Sequence, residues 1–124
     1  MNNLYQEELI EHFKYPCNNK VIENPDFMCA QFNPSCGDKV SIMGKLDGDT
    51  ITDIGFQGSG CVISQAAASM LTEECIGNDI AYAKSLDQTT IKNMVGLDLG
   101  PTRLKCALLC LHALHDALKN SEKK

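Results

Sequence analysis

The chain has 124 residues, with 11 Lys and Arg against 16 Asp and Glu for a net charge of −5, seven cysteines, no tryptophan and 44% hydrophobic residues. This profile predicts one small globular domain over residues 1–124, large enough to bury roughly two thirds of its unfolded surface and to fold without disulfides. An acidic balance with no basic cluster longer than Lys123-Lys124 argues against nucleic acid and anionic lipid as partners. The longest apolar run, Cys106 to Leu111, is far short of the ~20 residues of a membrane helix. The first residues, Met-Asn-Asn-Leu-Tyr-Gln-Glu-Glu, carry neither a basic nor an apolar leader region. A reducing, cytoplasmic setting with free thiols is therefore expected, and the seven cysteines call for some use other than cross-linking.

Asn3 and Gln6 approximate a capping box, and Tyr5, Leu9, Ile10 and Phe13 recur at helical spacing up to Pro16. Phe27 to Phe32 reads as a strand stopped by Asn33-Pro34. Val40, Ile42 and Leu46 then alternate with polar residues, Asp47-Gly48-Asp49 signals a hairpin, and Thr50 to Phe56 returns with Ile54 and Phe56 in phase but Ile51 out of it. From Cys61 the period changes. Ile63, Ala66, Ala67, Met70 and Leu71 mark a helix that Gly77 is placed to end. Short helical pieces follow at Ile80 to Leu86 and from Asp87 to Gly96, then the breaker Leu99-Gly100-Pro101 and a helix from about Arg103 to Lys119. That last helix has an apolar stripe of Leu104, Leu108, Leu111, His115 and Leu118 beside a small-residue stripe of Cys106, Cys110, Ala113 and Ala117. It must be covered on two sides, by the sheet and either by further helices of the domain or by a partner protein. The predicted fold is α+β, a three-stranded antiparallel sheet packed against a helical layer.

Three cysteines sit where a backbone break meets an element boundary. Cys36 lies in Asn33-Pro34-Ser35-Cys36-Gly37-Asp38, Cys61 ends the glycine-flanked corner Gly58-Ser59-Gly60-Cys61, and Cys106 is predicted in the first turn of the last helix. Unsatisfied N–H groups at a helix start favour thiolate over thiol, and thiolate is the form that binds metal or attacks sulfur. Glycines flanking Ser59 would let the main chain approach whatever Cys61 holds. Asp38, two residues from Cys36, points the same way in an extended segment and offers a fourth ligand. Three thiolates and a carboxylate suit zinc or iron. The hard oxygen would hold a soft iron–sulfide unit less tightly than a fourth thiolate, which favours release. Spacing alone, with no CxxC pair, leaves metal binding and plain burial both open. Cys29, Cys75 and Cys110 read as buried apolar residues and Cys17 as a loop residue. His115 reads as a core histidine, and His12 and His112 as surface side chains.

These motifs resemble a known family. Asn33-Pro34-Ser35-Cys36-Gly37-Asp38, then Gly58 to Ala66 with Ala68-Ser69-Met70, then Arg103-Leu104-Lys105-Cys106-Ala107-Leu108-Leu109 are similar to the three cysteine motifs of the iron–sulfur cluster scaffolds of the IscU, NifU and SufU type. The start of the chain, Tyr5 to Ile10, His12, Phe13 and Pro16 to Asn19, is similar as well. The resemblance implies a compact domain that receives persulfide sulfur from a cysteine desulfurase, assembles a transient [2Fe-2S] cluster and passes it to acceptor apo-proteins. Cys36, Asp38, Cys61 and Cys106 would hold the cluster, or Zn2+ in its absence, with Cys106 or Cys36 as sulfur acceptor and Asp38 keeping the site labile. Such a protein is a carrier rather than a turnover enzyme. A cluster held within one chain and a homodimer around a shared cluster would use the same residues.

Two departures shape the carry-over. The IscU branch has a histidine before its third cysteine; here that place is Lys105, as in the SufU branch, and an ammonium cannot donate to a metal. The Leu-Pro-Pro-Val-Lys segment read by a specialised Hsp70 in the IscU branch is here Leu99-Gly100-Pro101-Thr102-Arg103, so chaperone recognition is not implied. Lys105 motivates the alternative of a zinc-dependent sulfurtransferase that stimulates the desulfurase, although the long SufU insertion between the second and third cysteines is absent. A structural zinc domain is a third reading, set against a core that should fold without metal.

Overall fold

The computed structural model describes residues 3–34, 37–96 and 100–122. Cys36 and Leu99 lie outside them, as do the side chains of Asn3, Tyr5 and Gln6. The chain runs α1 (Asn3–Lys14), β1 (Phe27–Asn33), β2 (Asp38–Asp47), β3 (Thr50–Ser59), α2 (Val62–Cys75), α3 (Ile80–Ser85), α4 (Gln88–Val95) and α5 (Pro101–Glu122). The strands form one antiparallel sheet in the order β1-β2-β3.

One face of the sheet carries the core. Phe27, Val40, Ile42, Ile54 and Phe56 are buried there against apolar side chains of α2 and α5. Ile51, out of phase by simple alternation, is buried too. The register explains it: Lys45 pairs with Asp53 and Leu46 with Ile51, so Thr52 is the extra residue of a bulge, and Ile51 returns to the inner face. The two-residue turn that joins β2 to β3 is Gly48-Asp49, with Gly48 at φ 62. On the outer face Met28 and Phe32 stay exposed, whereas Ile22 lies against Gly55 beside buried Met43. The loop after α1 also closes the β3 edge, where Phe56 N–H donates to the carbonyl of Asn18.

The helices end where sequence chemistry directs them. Gly77, at φ 84, follows α2. Asp79 caps α3 through the Tyr82 N–H. Asp87 and Thr90 make a reciprocal capping box on α4, which Gly96 terminates in the left-handed conformation. Proline 101 opens α5 as its first residue instead of standing outside it, because its missing N–H would have had no partner in the first turn. The apolar girdle of α5 is covered from within the chain, by β1 and β2 on one side and by α2, α3 and α4 on the other. His115 accordingly is half-buried and its Nε2 meets the carbonyl oxygen of Ala83 at 3.2 Å.

Candidate metal centre

Asp38 opens β2, Cys61 stands at the N-cap of α2 and Cys106 faces inward from α5. The sheet and the two helices meet at this corner, so residues far apart in the chain converge. One carboxylate oxygen of Asp38 and the two sulfurs lie within 4.8 Å of one another. Asp38 is only 1% exposed and Cys106 3%, while Cys61 is half-buried. Cys36 falls outside the described residues.

The carboxylate of Asp38 is held in place by the corner it supports. Its Oδ1 accepts the Cys61 N–H at 2.8 Å, and Cys61 Sγ lies 3.4 Å from Oδ2. Gly60 makes this approach possible: its φ is 130, and a Cβ there would stand 2.0 Å from Asp38 Oδ1. A Cβ on Gly58 would meet the Lys39 carbonyl at 2.5 Å. The glycines of the corner thus admit the Asp38 side chain and the β2 main chain, and through them position Cys61. They are required by the protein itself.

The helix-start argument applies to Cys61 and not to Cys106. Cys61 is the N-cap residue of α2, at the positive end of the helix, and its side chain makes no capping bond. Because α5 begins at Pro101, Cys106 is in the second turn, where the N–H groups are already used and the terminal field has faded. What distinguishes Cys106 is the company of Asp38 and Cys61.

The donor set fits a four-coordinate cation. Bonds of about 2.3 Å to sulfur and 2.0–2.2 Å to oxygen at tetrahedral angles put sulfur and oxygen about 3.5 Å apart, close to the 3.4 Å between Cys61 Sγ and Asp38 Oδ2. Beside the site, Phe32, Asn33, Pro34, Lys105 and Leu109 help line a hollow of about 290 Å³.

The other cysteines divide as their surroundings dictate. Cys75 and Cys110 are fully buried, and desolvation pushes each thiol up to about 12. Cys110 Sγ donates to the Ala107 carbonyl, which accounts for it as a packed residue and not a chelating partner of Cys106. Cys29 is half-buried on β1, less enclosed than expected.

A second group escaped the sequence reading. His12, expected on the surface, is half-buried, with Nδ1 2.7 Å from Ser69 Oγ and Nε2 3.7 Å from Glu73 Oε1. Cys17 gives its N–H to the same Ser69 oxygen, and its sulfur lies 3.5 Å from Glu73 Oε2. The available signal was Ser69, Thr72 and Glu73 on one stripe of α2, since buried hydroxyls demand partners.

The chain is similar to known proteins over nearly its whole length. Residues 4–124 match the family model of the NifU-like N terminal domain. The zinc-dependent sulfurtransferase SufU of Bacillus subtilis is 34% identical over 98% of this chain and 94% of its own. The iron-sulfur cluster assembly scaffold protein IscU of Streptococcus pyogenes is 33% identical over 98% and 86%. A crystal structure of a putative iron-sulfur cluster assembly scaffold protein for the SUF system from Fervidobacterium islandicum superimposes with a TM-score of 0.76 at 31% identity, covering 94% of this chain and 98% of that one.

Proposed function

The chain belongs to the family of NifU-like N-terminal domains, and on that premise we propose that it is a carrier on which a [2Fe-2S] cluster is assembled and from which it is released. The observation that carries the proposal is the meeting of Asp38, Cys61 and Cys106 at one corner. Cys36, two residues before Asp38, completes the set. The cluster is cargo and not a resident cofactor, a reading that rests on Asp38: its hard carboxylate oxygen holds a soft iron–sulfide unit less tightly than a fourth thiolate would, and its other oxygen is engaged by the Cys61 N–H.

Sulfur arrives from a cysteine desulfurase. Cys106 is nearly inaccessible, so Cys36 is the better acceptor. Its thiolate attacks the outer sulfur of the desulfurase persulfide. A new S–S bond forms and the electron pair of the old one leaves on the desulfurase cysteine. Two electrons from an external reductant then convert each transferred sulfur to sulfide in the presence of iron. Apo-proteins that lack a cluster are the acceptors. No helix among the described residues is long and apolar enough to cross a membrane.

The second reading, a zinc-dependent sulfurtransferase, is favoured by Lys105 and by the likeness to the Bacillus subtilis protein. There zinc on the same residues masks the thiolates until the desulfurase docks. Anaerobic reconstitution with iron, cysteine and a desulfurase separates them. Bound iron and sulfide in equal amounts with a visible charge-transfer spectrum is the expected result; a colourless, zinc-retaining protein that only accelerates the desulfurase would establish the sulfurtransferase instead. In the same assay Asp38→Ala retains the cluster and slows its transfer to an acceptor, and loss of the cluster from a folded Asp38→Ala chain would refute the labile role of the carboxylate.

A further inference from the structure

At the other end of α2 from Cys61, three side chains of different chemistry converge: the imidazole of His12 from the last turn of α1, the thiol of Cys17 from the following loop and the carboxylate of Glu73 from α2. One ligand atom of each lies within 4.8 Å of the other two. At 1.5 Å rise per residue, Glu73 stands about 18 Å along α2 from Cys61, so no single ion serves both groups. We infer that His12, Cys17 and Glu73 form a second zinc site, independent of the corner that holds Asp38.

The support beneath the three residues is already built. Ser69 is fully buried, and its hydroxyl oxygen meets both His12 Nδ1, at 2.7 Å, and the Cys17 N–H, at 2.8 Å. One oxygen therefore fixes the imidazole plane and the backbone that carries the thiol. Histidines that ligate metal are oriented in this way, through the ring nitrogen that does not ligate. With Nδ1 engaged, Nε2 is the nitrogen directed at Glu73 Oε1, 3.7 Å away, while Cys17 Sγ approaches Oε2 at 3.5 Å. Tetrahedral zinc with one sulfur, one nitrogen and one oxygen ligand puts neighbouring donors about 3.3–3.6 Å apart, so small rotations of the exposed Glu73 side chain suffice.

The surroundings favour a cation. Glu7, Glu8, Glu11 and Glu73 line a hollow of about 360 Å³ with His12, and Glu11 and Tyr15 border a smaller one directly over Cys17. Partial burial, and after it the Glu73 carboxylate, push the Cys17 thiol up. Zinc displaces the thiol proton, which passes to solvent, and turns the same carboxylate from an opponent of the thiolate into a fellow ligand. Nitrogen, sulfur and oxygen donors together select zinc over magnesium or calcium, which take oxygen alone. Water or Glu11 fills the fourth position.

The test is zinc stoichiometry of the full-length chain by equilibrium titration, with cobalt as an optical probe of thiolate ligation. The wild-type chain takes up a second equivalent beyond the one at Asp38, Cys61 and Cys106. Cys17→Ala loses that equivalent and its share of the sulfur-to-cobalt band, and Glu73→Gln, at an exposed position, weakens it by at least about tenfold. Cys61→Ser keeps it, so failure of the proposed function leaves this result standing. A folded Cys17→Ala chain that binds as much zinc as the wild type, or a folded Cys61→Ser chain that binds none, overturns the assignment and reduces the three residues to a hydrogen-bonded tie between α1 and α2.

Discussion

Helices α2 and α5 lie against each other, and each carries one cysteine beside Asp38 and one in the apolar interior. Cys106 and Cys110, one turn apart on α5, are nearly equal in exposure, at 3% and 0%. Their surroundings differ completely. Cys106 shares its corner with the Asp38 carboxylate and Cys61, whereas Cys110 donates to a carbonyl of its own helix and is pushed up to about 12 by desolvation. Burial therefore does not decide what a thiol does. Between these two the polar neighbour does, and Cys106 has it where the sheet and the helices meet.

The largest expected effect breaks that contrast outright. Cys61→Ser or Cys106→Ser abolishes stable iron and sulfide binding in reconstitution, while Cys75→Ser and Cys110→Ser leave it intact. Metal and sulfide analysis of the four purified variants decides the matter. A folded Cys75→Ser chain without cluster would mean that core and rim cysteines had been wrongly divided.

Next in size is the corner that sets Cys61 beside Asp38. Gly60→Ala forces a methyl group to within 2.0 Å of Asp38 Oδ1 at a φ of 130. Backbone strain and overpacking together cost about 3 kcal/mol. A fall of that order in denaturant stability, with weakened metal uptake, is the expected outcome; unchanged stability would show that Asp38 has another place to go.

This corner also marks how far the sequence could be read. The period-two pattern of β2, the helical pattern of Ile63 to Leu71 and the cap residue Asp87 are local signals, and local physics placed them well. Long-range geometry was less visible. Thr52 gives no sign of a bulge, yet without it Ile51 would face solvent. The glycines at 58 and 60 were legible as a tight corner, but the side chain that required Gly60 lies more than twenty residues earlier. Asp38, Cys61 and Cys106 were chosen by residue type and by family likeness; spacing alone could not have joined them. The His12, Cys17 and Glu73 group was missed because each residue taken singly reads as ordinary surface.

Within the core pair a finer difference is expected. Cys110 Sγ already donates to the Ala107 carbonyl, a bond that a serine hydroxyl can take over. Cys75 sits in an apolar site where a hydroxyl is desolvated. Cys75→Ser should therefore cost about 2 kcal/mol and Cys110→Ser about 1 kcal/mol, read as shifts in the unfolding midpoint at constant slope. The reverse order would show that helix back-bonding does not rescue the hydroxyl.

The smallest effect comes from a carboxylate on the same hairpin with an opposite setting. Asp38 is buried and bonded to the Cys61 N–H, whereas Asp53 on β3 is partly exposed and pairs with Lys20, with Nζ 2.8 Å from Oδ1. The Lys20 bond holds Asp53 below the usual carboxylate range, with help from the Ile54 N–H against slight desolvation. Because the native value is depressed, the pair contributes stability above the unfolded value of about 3.9, and that contribution fades as pH falls through the native one. Both side chains are well exposed, so Lys20→Met costs only about 0.5 kcal/mol at neutral pH. Thermal unfolding from pH 7 down to pH 3 should show the wild-type and Lys20→Met curves converging as Asp53 protonates. A gap that stays constant across that range would assign the loss to packing of the Lys20 stem against Gly55 rather than to the charge pair.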